Sequence, residues 1–202
     1  MTQRERMLAG QLYMGADQEL AEMSMKSRAL LDEFNATLFA DFEARRQIAK
    51  KLFGKVGTNL NMNKPFYCDY GVHIEIGDNF YANFDCIILD VNKVIIGNNV
   101  MFAPKVSIYT AGHPIDKDVR NSGLEFGTEV RIGNDVWIGG NVVINPGITI
   151  GDNVVIGSGS VVTKNIPSNV IAVGNPCRIL RPITEEDRHV WLKKQELFAH
   201  TK

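Results

Sequence analysis

Residues Val130–Val162 read VRIGNDVWIGGNVVINPGITIGDNVVIGSGSVV. Ile132, Ile138, Ile144, Ile150, Ile156 and Val162 stand six apart, and Val130, Val136, Val142, Ile148 and Val154 form a second row with the same step. Gly133, Gly139, Gly151 and Gly157 follow the first row. A six-residue period matches neither the turn of an α-helix, about 3.6 residues, nor the alternation of an ordinary strand. It is the mark of a parallel β-helix, in which each unit is a short strand and a corner. The two aliphatic rows lie two residues apart, so they share the inward face of each strand. Glycine and asparagine at the corners can take the positive φ that other residues resist. One coil cannot bury its own apolar face, so several must stack.

The beat continues upstream less regularly, through Ile76, Ile88, Ile96, Phe102 and Ile108, with two extra residues between Ile88 and Ile96. Ile108 and Ile132 are four repeats apart, so residues 109–129 read as an excursion that leaves the helix and returns in register. The first residues have a different rhythm. Leu30, Leu31, Phe34, Leu38, Phe42 and Ile48 recur by threes and fours, the spacing of amphipathic helices, with a break near Asn35 and Thr37. Thr2 followed by Glu5 is a capping-box pattern for a short helix before them. Pro167 and Pro176 end the regular stacking, and Thr184 with Asp187 caps a last helix carrying Val190, Trp191, Leu192 and Leu197. The expected organisation is a helical segment over 1–57, a β-helix over 58–182 with the excursion 109–129, and a C-terminal helix over 183–202. An open β-helix end exposes unpaired backbone, so the terminal helices are expected to cover that end or pack on the flank.

Composition excludes several classes. Of 202 residues, 45% are apolar and 22% charged, as in ordinary soluble globular proteins. A net charge of −1 supplies no global field for nucleic acid or anionic membrane, so any phosphate site must be a local basic cluster. The opening MTQRERMLAG lacks the apolar centre of a signal peptide, and no segment approaches the roughly 18 apolar residues of a membrane span. Cys68, Cys86 and Cys177 are odd in number and lack metal-type spacing, which predicts reduced thiols and a cytoplasmic setting. Cys68 and Cys86 sit in strand-like text as small core residues.

Of four histidines, His189 and His200 lie in the C-terminal segment and read as surface, and His73 in YGVHIEIG reads as structural or ligand-facing. His113, between Gly112 and Pro114, stands where the excursion leaves the wall of the helix. On residue chemistry alone, both catalysis and loop packing fit it.

Further stretches carry a resemblance. NFYANFDCIILD (79–90), YTAGHPID (109–116), RNSGLEFG (120–127), VWIGGNVVINPGITIGDNVVIGSGSVVTKNIP (136–167), VGNPCRILR (173–181) and the N-terminal MLAGQLY together resemble the maltose and galactoside O-acetyltransferases of the hexapeptide acyltransferases. The likeness spans nearly the whole chain, and RNSGLEFG and the LD pair bring it nearer the maltose type. It implies a mainly β chain: a left-handed parallel β-helix with three strands per coil, a handedness contrary to the usual crossover rule. It also implies a homotrimer with active sites between subunits, acetyl-CoA as donor, a sugar hydroxyl as acceptor, and no metal.

Acetyl transfer from a thioester to an alcohol needs a base for the hydroxyl proton and donors for the developing oxyanion. The resemblance makes His113 the general base and puts Asn83 at the acetyl site. Asp69 stands where the galactoside enzymes have an acceptor-binding serine, and Asp17, Tyr81 and Asp90 are candidate acceptor contacts. Asp90 is offset by one position from the family's aspartate, which is Val91 here. Glu125 either orients His113, binds the sugar, or is a solvated loop carboxylate. Coenzyme A phosphates need cations, and Thr163, Lys164, Arg178 and Arg181 match family positions for them. Gly140 and Ser158 match positions lining the pantetheine arm; Gly140 replaces a serine and keeps its backbone N–H. Trp137 either walls that tunnel or packs on the coil surface.

Three other readings compete. A metal hydratase on the same scaffold needs histidines converging from neighbouring coils, and only His73 and His113 lie in the repeat region. A non-enzymatic solenoid needs neither the excursion nor the basic cluster. A galactoside or xenobiotic acceptor shares the histidine and the coil, and only acceptor kinetics separate it.

Overall fold

The computed structural model describes residues 1–200. Three parallel faces wind into a prism. The first holds Lys55–Val56, Ile74–Ile76, Val94–Ile96, Val130–Ile132 and Thr149–Ile150. The second holds Asn61–Met62, Tyr81–Ala82, Met101–Phe102, Trp137–Ile138, Val155–Ile156 and Val170–Val173. The third holds Phe66–Cys68, Cys86–Leu89, Ser107–Tyr109, Val143–Ile144 and Val161–Val162. The chain visits the faces in that order on every turn, which is the parallel β-helix expected from the six-residue beat.

Register explains both the regularity and its lapses. Ile132 pairs with Ile150 and Ile138 with Ile156, a coil of 18 residues, while the last coil, in which Ile150 meets Ile166 and Val155 pairs with Ile171, takes 16. Ile76 pairs with Ile96 and Ile88 with Ile108, so upstream coils take 20. The two extra residues noted between Ile88 and Ile96 recur in every upstream coil. Ile108 pairs with Ile144, and the additional residues of that coil are the excursion. Inward side chains stack rung on rung: Ile108, Ile138, Ile144 and Val162 are wholly buried, and Ile132 and Ile150 nearly so. Each such aliphatic side chain contributes about 1.5–3 kcal/mol by leaving water.

Two residue types divide the corner work differently from the expectation. Positive φ falls on Asn59, Asn79, Asn99, Asp135, Asn153 and Asn169 at the corner between the first and second faces, and on Asp85, Lys105 and Asn141 between the second and third. Side chains of the first set bond along the stack, Asn59 Nδ2 to Asn79 Oδ1, Asn79 to Asn99 and Asn99 to Asp135, each at 2.8 Å. The glycines after the inward isoleucines do not take positive φ. A Cβ on Gly97 would lie 2.6 Å from the Gly133 carbonyl oxygen of the next coil, so glycine is needed there for close approach.

The two ends are finished by different means. Helices α1 (Gln3–Leu8), α2 (Gln18–Ala36) and α3 (Phe42–Leu52) precede the coil, with the Thr2–Glu5 capping box in place. Leu31, Phe34, Leu52 and Phe53 join the coil's own core, and Phe34 and Phe53 meet Phe66 edge-on. Arg45, only 1% exposed, closes the seam by donating to the carbonyls of Met62, Leu38 and Phe39. At the other end, Arg178–Pro182 turns back antiparallel on Val170–Val173 and finishes the second face. A short helix, α4 (Lys117–Asn121), lies in the excursion. The last helix, α5 (Glu185–His200), buries none of its side chains, so the hairpin and not a helix covers that end. All three cysteines are free and buried. No helix among the described residues is long and apolar enough to cross a membrane.

Candidate active site

The excursion is a small built structure. Ala111–Gly112 pairs antiparallel with Leu124–Gly127, which pairs on its other side with Tyr13–Met14. The N-terminal segment therefore joins the excursion as a third strand. A Cβ on Gly112 would fall 2.7 Å from the Phe126 ring, so this position needs a bare backbone. Gly112 faces Phe126, and His113 follows directly beyond this paired strand. Glu125 is also the register partner of Tyr13, whose hydroxyl donates to Glu125 Oε2 at 2.8 Å. His113 is exposed at the edge of this sheet.

Beside it stands the turn 69–73, at the corner between the third face and the first. Asp69 is half-buried, and burial together with the Glu125 charge raises its carboxyl to about 6, against the pull of Arg28. Burial, then Asp69 and Glu125, pushes the Tyr70 phenol up to about 12. Burial and the Glu125 bond push Tyr13 up as well. A cavity of about 320 Å³ opens here between Gly15, Leu20, Ser24, Arg28 and Tyr70. Asp17 caps α2 by accepting from the Leu20 N–H at 3.2 Å, and its charge reaches Tyr70. Asp17, Asp69 and Glu125, chosen on different grounds from distant stretches, thus gather around Tyr70, and His113 lies just past the strand paired with that of Glu125.

Other candidates stand elsewhere. Asp90 is wholly buried, and its carboxylate accepts backbone N–H bonds from Asp69, Tyr70 and His73. It lies behind the turn 69–73, with no surface exposed in this chain. His73 is structural: it is 5% exposed, and its Nδ1 lies 2.7 Å from the Asp90 carbonyl oxygen. Tyr81 lies on the second face, where its hydroxyl accepts from Asn63 Nδ2 at 3.1 Å. It is outside the carboxylate group.

The corner between the second and third faces carries Asn83, Gly140 and Ser158. Asn83 Oδ1 accepts the Phe84 N–H at 2.9 Å, which leaves the Nδ2 hydrogens as donors. Gly140 donates its N–H to Ser158 Oγ at 3.1 Å, and its carbonyl accepts from Gly159 at 2.8 Å. The Gly140 N–H expected for a ligand is therefore engaged within the chain, and the Ser158 hydroxyl hydrogen is the polar group offered outward. On the second face, Tyr81, Met101, Trp137, Val155 and Ile171 form one outward column, with Trp137 and Met101 half-exposed.

Thr163, Lys164 and Arg178 are exposed near the C-terminal end of the coil. Arg178 donates to the Cys177 carbonyl at 2.8 Å. Arg181 has a partner within the chain. It grips Asp187 with two parallel bonds of 2.6 and 2.8 Å, a fork-to-carboxylate pairing that fixes the start of α5. Among the described residues no group of three or more His, Cys, Asp or Glu is placed to hold a metal ion.

Sequence reading missed Tyr13, Arg28 and Tyr70. Tyr13 and Glu125 lie 112 positions apart, and only the three-stranded sheet joins them. Nothing local in QLYMG signals that pairing.

Residues 6–57 match the maltose acetyltransferase hexapeptide capping motif, and residues 129–164 match the bacterial transferase hexapeptide of six repeats. The galactoside O-acetyltransferase of Escherichia coli K12 is 45% identical over 96% of this chain and 95% of its own. The crystal structure of a maltose O-acetyltransferase from Clostridium difficile 630 is 55% identical, covers 91% of this chain and 98% of that one, and superposes with a TM-score of 0.90. A galactoside acetyltransferase solved in complex with coenzyme A is 44% identical over 93% of this chain and 94% of that one, with a TM-score of 0.89. Likeness of this extent, over helices, coil and excursion together, makes the chain a member of the hexapeptide-repeat acetyltransferases of the maltose and galactoside O-acetyltransferase family.

Proposed function

We propose that this protein transfers the acetyl group of acetyl-CoA to a hydroxyl of maltose, glucose or a related sugar, with His113 as general base. The observation that carries this reading is the convergence of Asp17, Asp69 and Glu125 on the corner from which His113 projects. Carboxylates accept hydrogen bonds from sugar hydroxyls, and an imidazole at their edge is placed to take one of those protons. His113 removes the proton as the oxygen attacks the thioester carbon. The Asn83 amide supports the oxyanion. As the carbon–sulfur bond breaks, the imidazolium returns its proton to the leaving thiolate. Glu125, on the strand paired with the one that leads into His113, accepts the ring N–H of the neutral imidazole and so sets its tautomer.

In this reading the working unit is a homotrimer. Within one chain, Asn83, Gly140 and Ser158 line one corner, and His113 extends from another, with the third face between them. A single chain therefore presents a donor edge and an acceptor edge that do not meet. Ile115, at the outer end of the excursion, is 97% exposed, an apolar contact suited to a neighbouring copy. Lys164 and Arg178 are the cations for the coenzyme phosphates. The three free buried thiols suit a reducing, cytoplasmic setting.

Thiol release from acetyl-CoA, followed over maltose, glucose and galactosides, tests the reading. Sugar-dependent release, fastest with maltose or glucose, is the expected result. Faster turnover of galactosides would move the acceptor to the galactoside type, and no sugar dependence would sink the proposal. Sedimentation should give a mass three times that of the chain.

A further inference from the structure

Asp90 makes no contact with solvent, yet its bonds converge on one short segment. Its Oδ1 accepts the N–H of Asp69 at 3.0 Å and of Tyr70 at 2.9 Å. Its Oδ2 accepts the N–H of His73 at 3.3 Å, and its backbone carbonyl lies 2.7 Å from His73 Nδ1. The turn 69–73 is thus wrapped around one buried carboxylate. Its geometry has no slack: Gly71 sits at φ +73°, and a Cβ there would fall 2.6 Å from Leu52 Cδ1. The same segment is wired to the excursion. The Leu89 carbonyl accepts from the Thr110 N–H at 3.1 Å and from its hydroxyl at 2.7 Å, and Thr110 Oγ1 accepts the Asn92 N–H at 2.8 Å. Asn92 Nδ2 donates to the carbonyls of Met7 and Gly127 at 3.1 and 3.0 Å. Residues 89–92 therefore hold the acceptor turn on one side and both feet of the excursion on the other.

We infer that Asp90 is a positioning residue for the acceptor: it holds Asp69 and Tyr70 at a set distance from the strand that launches His113. The inference rests on the proposed function above. The chemistry of the partner set explains why a carboxylate serves here. Three backbone N–H groups point inward, and an ionised carboxylate accepts all of them, whereas an amide accepts through one oxygen and opposes the rest with its own N–H groups. Burial pushes the Asp90 carboxyl up to about 7, while its backbone bonds pull it down. A buried carboxylate held by backbone N–H groups is kept at a cost in desolvation.

The test is Asp90→Asn in the full-length protein, with maltose and acetyl-CoA as substrates. The KM for maltose should rise about tenfold while the KM for acetyl-CoA stays within about twofold, the pattern of lost acceptor binding alone. Acetyl-CoA hydrolysis without sugar should be unchanged. A general loosening of the coil would raise both constants together, and that result, or an unchanged maltose constant, overturns the inference. If the variant does not fold, amide exchange in the unaltered protein decides. Amides of Asp69, Tyr70 and His73 should be as slow as those of the coil strands, and exchange as fast as in residues 117–122 would overturn it. A wild-type protein that ignores sugars sinks the functional reading instead, and the exchange measurement then judges Asp90 by itself.

Discussion

The acceptor corner and the donor corner of this coil are finished to different degrees. At the corner proposed for the acceptor, the Tyr13 strand, the excursion and the turn 69–73 are joined by sheet pairing and by Asp90. At the donor corner Asn83, Gly140 and Ser158 line a bare edge, and Lys164 and Arg178 stand exposed at the far end. The contrast follows from solvation. Converging carboxylates repel one another and lose water, so they need a rigid frame, whereas dispersed cations stay solvated until a phosphate arrives.

The largest expected break in that comparison is His113→Ala. Removing a general base should lower turnover about a hundredfold or more while both Michaelis constants stay near their wild-type values, as steady-state kinetics would show. Near-normal turnover would remove His113 from the mechanism.

Asp69→Asn tests the acceptor corner by itself. Burial and the Glu125 charge raise the Asp69 carboxyl to about 6, and in the proposed role it is the ionised form that accepts sugar hydroxyls. The wild-type KM for maltose should therefore fall as pH rises through about 6. In the variant the constant should rise about fivefold to tenfold at neutral pH and lose that inflection, since an amide does not titrate. An inflection that persists would assign the titration to another group.

Arg178→Ala sharpens the donor side. Losing one exposed cation should raise the KM for acetyl-CoA about threefold to fivefold and leave that for maltose within about twofold, with the effect shrinking as salt is added. A constant that does not move would make Arg178 plain surface.

The smallest effect should come from Asp187→Asn. The Arg181 fork and the bonds from the Thr184 N–H and hydroxyl hold this carboxyl well below the usual carboxylate range, so at neutral pH it anchors α5. Its loss should reduce helical signal by circular dichroism on mild heating and leave the acetyl-CoA constant within about twofold. A marked change in that constant would return Arg181 to the donor site, where the sequence reading put it.

Much of this molecule was legible before any coordinates. A strict period of six needs only counting, because every coil imposes the same inward position on the same step. Interruptions were legible for the same reason, so the gap between Ile108 and Ile132 exposed the excursion. The turn at Asn35–Thr37 and both helix caps were also local signals, confined to a few neighbouring residues. The hand of the coil was implied only by resemblance, since residue spacing is the same in either hand.

What the sequence determined by itself was therefore the periodic architecture, its one long departure, and the residue types able to carry acetyl transfer. Tertiary structure alone decided which of them meet. It put Tyr13 on Glu125, turned Asp90 inward, engaged Arg181 with Asp187, and set Asn83 on a different corner from His113. Those outcomes depend on pairings between residues far apart in the chain and on competition for buried hydrogen-bond donors. Neither leaves a local trace in composition or spacing.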